Sequence, residues 1–330
     1  MMEYRKFGKT DLNVSIAGFG AWGIGGPAMV GSTPIGWGDV DDAISKKALI
    51  RAKELGVNFF DTADFYGLGH SEELIGETFG NSPDVIIATK VGHRTTAENA
   101  IALDYSRKHI VEACDRSLKR MRRDVIDYYQ LHSARMVHLE QGECVEAMEE
   151  LKKQGKIRYW GLSLNTFHPY AESEYMIDHN IGDGFQLVFN IINQRARGVM
   201  SRAAGAGYGI IARMPLQFGL LTGRVSPETK FSHNDHRSFR LTKEIIESSL
   251  SGLEHIWHIA EKKKISKTAL AMSFCASMPE VSTIISGIKT PGQAEMNTEI
   301  VKLDRNEIDL IAETYTTDFS HVVSLMEKQG

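Results

Sequence analysis

Val57-Asn58-Phe59-Phe60-Asp61-Thr62-Ala63-Asp64-Phe65-Tyr66-Gly67 is a short apolar run that stops abruptly at a carboxylate, with a tyrosine five residues further on. The length of the run and its aromatic and β-branched residues predict a buried strand over 57–61. Asp61 would lie at the carboxyl end of that strand and Tyr66 in the following loop. In parallel α/β folds this end of the sheet carries the chemistry. Taken alone, the stretch is equally compatible with an Asp61 that caps and a Tyr66 that packs.

The same arrangement, a short apolar strand followed by a helical pattern, recurs along the chain. Strands are predicted at 14–20, 57–61, 84–90, 125–132, 157–163, 184–189, 209–214 and 281–286. Helices are predicted at 43–56, 71–79, 106–122, 143–154, 169–179, 195–205, 242–264, 267–277, 292–301 and 305–316. Alternation of this kind predicts a parallel sheet with helices outside. Eight strands in 330 residues favour a (β/α)8 barrel over an open sheet.

Two long segments between these elements are predicted to be loops on the carboxyl face of the barrel. The first, 21–38, is rich in glycine. The second, 223–240, is polar and aperiodic, and loops of that length are usually functional or disordered. No Gly/Ser-rich or Pro-rich linker divides the chain, so we expect one domain over 1–330.

Composition excludes several classes of function. A hydrophobic content of 42% and a charged content of 24% are typical of a soluble globular protein. A net charge of -4 predicts neither a nucleic acid nor an anionic membrane as partner. We expect a cytoplasmic protein, because no apolar run suits a signal peptide or a membrane span. Cys114, Cys144 and Cys275 lack metal-ligand spacing and are interpreted as buried small residues or incidental thiols. The oligomeric state stays open.

Polar side chains stand at or just after the carboxyl ends of seven of the eight predicted strands. They are Asp61, Lys90, His132, Ser163 with Asn165, Gln186 with Asn190, Arg213, and Ser286 with Lys289. One such residue is expected wherever a strand leaves a core. Because the carboxyl ends of parallel strands meet at one face, seven of them predict a functional site there.

The residue types indicate proton delivery. Lys90 should pair with Asp61, since an unpaired buried charge is very costly. A lysine ammonium close to the Tyr66 hydroxyl would stabilise the phenolate, so Tyr66 could act as a general acid. His132 could donate a hydrogen bond to a substrate oxygen or relay a proton. Together these groups suit protonation of a carbonyl oxygen while hydride reaches carbon, and the hydride requires a nicotinamide cofactor.

Four separate motifs, in order and spacing, resemble those of the aldo-keto reductase superfamily. They are Asp61-Thr62-Ala63-x-x-Tyr66-Gly67, Thr89-Lys90, Leu131-His132 and Gly161-x-Ser163. The resemblance extends from Arg5-x-Phe7-Gly8 to Gly287-x-Lys289-Thr290-x-x-Gln293-x-x-x-Asn297. It implies a TIM barrel with an N-terminal β-hairpin, NADPH bound in an extended form without a Rossmann fold, and transfer of the pro-R hydride.

The resemblance also implies roles for individual residues. Tyr66 would be the general acid, Lys90 and Asp61 its tuning pair, and His132 the group that orients the substrate. Ser163, Asn165 and Gln186 would hold the nicotinamide carboxamide. Lys289, Thr290, Gln293 and Asn297 would hold the adenosine end, with phosphate at the loop and helix after strand 8. Further expected cofactor contacts are Trp22, Arg213, Pro215, Leu216, Gly219, Leu221 and Gly287.

This sequence departs from the family pattern at several positions. The usual Ser-Asn pair appears as Ser163-Leu164-Asn165, so Leu164 or Asn165 could meet the carboxamide. Arg213 stands where many members stack a tyrosine on the nicotinamide, and its charge should favour the reduced cofactor or contact phosphate. Lys289 alone supplies positive charge near the expected 2'-phosphate, so NADPH is favoured over NADH only moderately. His132 is followed by Ser133-Ala134-Arg135, where many relatives carry an acidic residue. We expect this difference to affect mainly the packing of the loop.

The leading interpretation is an NADPH-dependent reductase of an aldehyde, ketone or sugar, with NADH possible. Trp22, Phe65 and His93 would line the substrate pocket, or simply pack, and 223–240 would fold over the cofactor pyrophosphate. No metal site is expected, and His233 and His236 have no partners for one. Two alternatives stay open: a Schiff-base lyase that uses Lys90, and a non-catalytic nicotinamide-binding subunit that senses redox state.

Overall fold

Eight parallel strands form a closed barrel in the computed structural model, which describes residues 1–36, 38–231, 235 and 237–329. The barrel strands are β1 (Ala17–Gly20), β2 (Phe59–Asp61), β3 (Ile86–Val91), β4 (Ile126–His132), β5 (Ile157–Ser163), β6 (Gly184–Val188), β7 (Gly209–Arg213) and β8 (Thr283–Gly287). Each strand pairs with the next, and β8 pairs with β1 to close the ring. The predicted (β/α)8 barrel is therefore confirmed.

Helices connect the strands and cover the outside of the barrel. They are α1 (Asp42–Glu54), α2 (His70–Phe79), α3 (Arg107–Met121), α4 (Met136–Gln141), α5 (Glu143–Lys153), α6 (Tyr170–Asp178), α7 (Arg197–Gly205), α8 (Arg237–Arg240), α9 (Lys243–Lys263), α10 (Lys267–Ala276), α11 (Pro291–Asn297), α12 (Arg305–Thr314) and α13 (Ser320–Lys328). Ser106, Thr242 and Ser266 cap α3, α9 and α10, each hydroxyl accepting from a first-turn amide. These caps fix where the helices begin.

The predicted strand over 14–20 is wrong as a single element. Asn13–Ser15 pairs antiparallel with Tyr4–Lys6 in an N-terminal hairpin, whereas Ala17–Gly20 joins the barrel. Ile16 lies between them, and its amide donates to Glu3 O at 2.9 Å. The apolar pattern runs through this junction because both halves are buried, so sequence cannot reveal the change of pairing partner. The hairpin that the family resemblance implied is confirmed.

Other differences concern short elements and helix ends. Segment 21–38 contains a 3-10 turn (Ala21–Gly25) and a small hairpin (Met29–Val30 with Thr33–Pro34). A second hairpin, His93–Thr95 with Ile101–Leu103, follows β3. The helix predicted at 305–316 has its last α-helical residue at Thr314, and a π turn (Tyr315–Phe319) then joins it to α13. The helix predicted at 195–205 begins at Arg197. Such short elements depend on packing against the barrel rather than on a local pattern.

The amino-terminal mouth of the barrel is filled by Phe7, which is completely buried. Gly184 and Gly209 lie side by side on β6 and β7. A Cβ at these positions would come within 2.7 Å and 2.5 Å of the Phe7 ring, respectively. Tyr128 packs against Phe7 edge-on, with ring centroids 4.8 Å apart. The two glycines therefore leave the space that the N-terminal hairpin needs to close the barrel floor.

We expect Gly209→Ala to destabilise the fold by about 1–3 kcal/mol, because the new methyl group overpacks a ring that cannot withdraw. Chemical denaturation measures this loss. Gly205→Ala is the matched control, since nothing lies within 4 Å of a Cβ there. Combining Gly209→Ala with Phe7→Leu should recover part of the loss. Equal stability of Gly209→Ala and the control would contradict this account of the glycine pair.

Candidate functional site

A buried lysine joins three groups at the carboxyl end of the barrel. Lys90 extends from β3 and is completely buried. Its Nζ donates to Asp61 Oδ1 at 2.5 Å, to Thr62 O at 2.8 Å and to Tyr66 Oη at 3.1 Å. The β2 strand ends at Asp61, and a 3-10 turn then presents Tyr66. The structure therefore brings these three predicted residues together, with Lys90 at the centre.

The second oxygen of Asp61 is also satisfied. Gln130 and Gln186 donate to Asp61 Oδ2 at 2.9 Å and 2.8 Å, and Gln186 also donates to Gln130 Oε1 at 3.1 Å. Gln130, on β4, was missed by the sequence analysis because it lies inside a predicted strand rather than at its end. Gln186, expected at the carboxamide, directs its amide nitrogen to Asp61. The two amides fix the carboxylate against Lys90.

The contacts of Lys90 with Asp61 and Tyr66 favour its charged form. Burial alone would lower the pKa of Lys90, but Asp61 and Tyr66, through their charges and hydrogen bonds, outweigh it and raise that pKa. Lys90 is therefore a permanent ammonium group at physiological pH. A protonated amine is not a nucleophile, which argues against Schiff-base chemistry at this lysine.

His132 lies beside Tyr66 as a neutral imidazole. Their ring centroids are 6.0 Å apart, edge to face. Burial, followed by the charges of His93, Lys90 and Arg213, places the pKa of His132 well below its usual value. Tyr105 fixes the main chain there by donating to His132 O at 2.5 Å. A neutral imidazole keeps one N–H, so His132 can donate a hydrogen bond over the whole physiological pH range.

Two aromatic contacts frame the pair. The Trp22 ring stacks near Tyr66 at 6.1 Å, and Trp22 Nε1 donates to Ile35 O at 2.9 Å. His93 meets His132 edge-on, with centroids 4.4 Å apart, and Phe65 lies 5.4 Å from His93. The three residues expected to line a substrate pocket thus surround Tyr66 and His132.

A cavity of about 140 Å³ opens beside Trp22. It is lined by Trp22, Thr166, Phe167, Arg213, Met214, Gln217, Phe218, Arg240, Leu241 and Met326. The Arg213 guanidinium donates to Leu164 O at 3.2 Å and to Thr166 Oγ1 at 3.1 Å. Arg213 Nε is buried, and its N–H finds no acceptor among the described residues. A planar cation and the Trp22 indole ring therefore line the same cavity.

Cations also gather where the adenosine end of a cofactor is expected. Lys289 lies against Gly23, and burial, then the Arg237 charge, lowers its pKa. Thr290 caps α11 by accepting from the Gln293 amide at 3.2 Å. Gln293 Oε1 accepts from the Lys289 amide at 2.7 Å, and Asn297 Nδ2 donates to Gly287 O at 3.2 Å. Asp235 and Asp39 act on Lys289 in the opposite direction, so Lys289 and the first turn of α11 are the groups here that suit a phosphate-bearing ligand.

The other residues expected to contact the cofactor differ in how accessible their side chains are. Leu221 is completely buried in the core and offers no surface to a cofactor. Asn165 Oδ1 accepts from the Phe167 and His168 amides, both at 2.9 Å, so its side chain builds a turn. Ser163 is 2% exposed, Pro215 is buried, and Leu216 and Gly219 are partly exposed beside β7.

The three cysteines are buried, and burial raises the pKa of the Cys144 thiol to about 11. His233 and His236 lie outside the described residues. Across residues 1–36, 38–231, 235 and 237–329, no group of three side chains could hold a metal ion. Within those same ranges no helix is both long and apolar enough to cross a membrane.

Residues 18–316 match the sequence model of the aldo/keto reductase family. The chain belongs to that family. It is 30% identical over 338 residues to the aldo-keto reductase YhdN of Bacillus subtilis (strain 168), covering 96% of each chain. It is 28% identical over 320 residues to a probable voltage-gated potassium channel subunit beta of Arabidopsis thaliana, covering 91% of each.

The fold comparison agrees with the family. The holo form of the aldo-keto reductase AKR11C1 of Bacillus halodurans superposes with a TM-score of 0.77 at 27% identity, covering 95% of this chain and 96% of that one. Aldo/keto reductases are generally oxidoreductases that use nicotinamide cofactors. The predicted family resemblance is confirmed. The sequence relatives and the structural neighbours both include aldo-keto reductases.

The Lys90–Asp61 pair yields a stability prediction for this aldo/keto reductase. Lys90→Met should cost about 3–5 kcal/mol of unfolding free energy, because it leaves Asp61 charged and buried without its cation. Asp61→Asn should also destabilise, since it leaves Lys90 unpaired. The double variant should lose less than the sum of the two single variants, as measured by urea denaturation. Additive losses would show that the two residues do not stabilise each other.

Proposed function

We propose that the protein is an NADPH-dependent reductase that acts on the carbonyl group of an aldehyde, ketone or sugar. The observation that carries the proposal is the single Lys90 ammonium bonded to both Asp61 and the Tyr66 hydroxyl. This arrangement places a positive charge where negative charge develops when a tyrosine gives up its proton. The neighbouring neutral His132 and the cavity beside Trp22 support the same chemistry.

Tyr66 serves as the general acid. It donates its phenolic proton to the substrate carbonyl oxygen, and the Lys90 ammonium stabilises the phenolate that remains. Asp61 keeps Lys90 charged and in place, and Gln130 and Gln186 hold Asp61. A bound nicotinamide would supply the hydride that reaches the carbonyl carbon. The phenolate regains its proton from solvent after the alcohol leaves.

His132 orients the carbonyl group. Because it is neutral, its N–H donates a hydrogen bond to the same oxygen that Tyr66 protonates. Burial, then the charges of His93, Lys90 and Arg213, lower the pKa of His132 and oppose its protonation, so the imidazole does not add a further positive charge beside Lys90 as the pH falls. Two donors converging on one oxygen fix the substrate and stabilise the negative charge that develops on it.

The nicotinamide cofactor would be held by two sets of side chains. Trp22 and Arg213 flank the cavity where the nicotinamide ring would lie. Lys289 would meet the adenosine phosphate, with Arg237 close enough to perturb its pKa. Arg237 belongs to segment 223–240, pairs with Asp235 at 2.6 Å and lies over the Phe231 ring. The nearness of Arg237 to Lys289 supports closure of that segment over the pyrophosphate, and the Lys289 charge supports a preference for NADPH over NADH.

Tyr66→Phe should lower kcat by about 10²–10⁴-fold, because it removes only the proton donor. Absorbance of NADPH tests this across a panel of aldehydes, ketones and sugars, with NADH alongside. NADPH affinity, from fluorescence titration, should stay nearly unchanged. Tyr175→Phe, which removes a tyrosine hydroxyl from α6 on the outside of the barrel, is the control and should keep most of the turnover. Substantial activity in Tyr66→Phe would show that the acid is a different group.

Arg213→Ala should tighten binding of oxidised NADP⁺ relative to NADPH by about tenfold, equivalent to about 1.4 kcal/mol. The reason is that the Arg213 cation lines the cavity where the oxidised ring carries a positive charge. Arg213→Lys, which keeps the charge, is the control. Calorimetric titration with each redox form measures the ratio. Equal changes for both forms would mean that Arg213 does not discriminate between them.

A second candidate function is a nicotinamide-binding subunit that senses redox state without turnover. The similarity to a probable potassium channel subunit beta favours keeping this candidate. The same absorbance assay separates the two. Stoichiometric nicotinamide binding with no oxidation of NADPH by any carbonyl compound would favour the subunit.

A further inference from the structure

A broad groove of about 1020 Å³ lies on the catalytic face next to the small cavity. It is lined by Arg135, Phe167, His168, Tyr170, Glu172, Gln194, Arg195, Arg197, Tyr315 and Glu327, with four smaller residues. Phe167 lines both the groove and the cavity. On α13, Met326 faces the cavity and Glu327 the groove. The two spaces are therefore neighbours, separated by one side chain and the C-terminal helix.

The groove also lies close to the proposed reaction centre. Arg135 follows His132 by three residues, so their Cα atoms are at most about 11 Å apart. Neither Tyr66 nor His132 lines the groove, so a substrate that contacts both places would have to be extended and bridge the interval between His132 and Arg135. The proposed reductase activity leaves this groove without a role.

The negative charges of the groove are already engaged. Glu327 pairs with Arg195 at 2.5 Å and with His168 at 2.7 Å. Glu172 is buried, and its Oε1 accepts from the Met136 amide at 3.3 Å. Neither carboxylate extends to neutralise the remaining arginines.

Two arginines of the groove have no such partner. Neither Arg135 nor Arg197 forms an ion pair within the described part of the chain. Arg135 is exposed, whereas Arg197 is half-buried and its Nη2 meets only the Met278 thioether, at 3.7 Å. Glu280 and Asp309 act on Arg197 at longer range. Arg195 is thus paired and Arg197 is partly compensated, which leaves the exposed Arg135 as the groove cation without an ion pair among the described residues.

We propose that this groove binds an anionic group at the far end of the substrate, with Arg135 as the principal contact and Arg197 behind it. The inference rests on the proposed carbonyl reductase and names its substrate class: a carbonyl compound that also carries a carboxylate or a phosphate. An arginine fork is suited to either anion.

The test compares matched substrates. Aldehydes of increasing chain length carry a terminal carboxylate, with the corresponding amides as neutral partners. A second series carries a terminal phosphate monoester, with the free alcohols as neutral partners. For one of the anionic series, Arg135→Glu should lower kcat/KM about tenfold or more, mainly through KM, and the neutral partners should change by less than about twofold. The series that responds more strongly identifies the anion.

Lys119→Glu is the matched control. Lys119 is exposed on α3 and does not line the groove. Its substitution by glutamate changes the net charge by the same amount as Arg135→Glu. It should leave both series unchanged. If Arg135→Glu also left both series unchanged, or weakened charged and neutral substrates equally, the groove would not bind the anion.

A measurement without turnover separates this inference from the proposed function. Adipate, a dicarboxylate that cannot be reduced, and inorganic phosphate are titrated calorimetrically into the full chain. Binding of either anion that weakens about tenfold in Arg135→Glu supports the groove even if no carbonyl compound is reduced. Reduction of neutral aldehydes, with no anion binding and no effect of Arg135, overturns the groove and leaves the reductase intact.

Discussion

The ion pair between Lys90 and Asp61 is the constraint on which the catalytic face depends. Both residues are almost wholly inaccessible to water, and removing two charges from water is costly. The barrel offsets that cost with excellent geometry: a 2.5 Å contact, a carbonyl acceptor from Thr62, and amides on the second Asp61 oxygen. Only a closed barrel brings residues from β2, β3, β4 and β6 to one point. The closed fold is therefore what assembles the site.

Stability alone does not explain why a barrel would retain such a pair. Apolar residues of similar volume would fill the same space with equal or greater stability. What they could not provide is an ammonium in contact with a tyrosine hydroxyl. The pair thus fits a functional requirement, and the N-terminal end of the barrel shows the alternative. There Phe7, Tyr128 and the glycine pair close the floor with apolar packing only.

Much of this could be predicted from sequence because parallel strands bring their carboxyl ends together. Asp61, Lys90 and His132 stand at strand ends, and knowing the order of strands was enough to expect them to meet. Gln130 escaped notice because an interior strand position gives no sign that its side chain turns toward Asp61. The division of 14–20 between hairpin and barrel was also hidden, since burial on both sides of Ile16 produces one continuous pattern. Sequence periodicity reports burial, not the identity of the partner.

The surroundings of the site were less predictable, for a different physical reason. The wall between cavity and groove combines Phe167, from the loop after β5, with α13, from the end of the chain. Nothing local in either segment indicates the other, and the contact exists only because the C-terminal helix folds back across the barrel mouth. Arg195 completes the wall by pairing with Glu327 and lying over the Phe167 ring at 5.9 Å. A barrel can therefore keep its buried ion pair while remote segments such as these shape the surface around it. In this chain they leave Arg135 and Arg197 lining a groove whose own carboxylates, Glu327 and Glu172, already have partners.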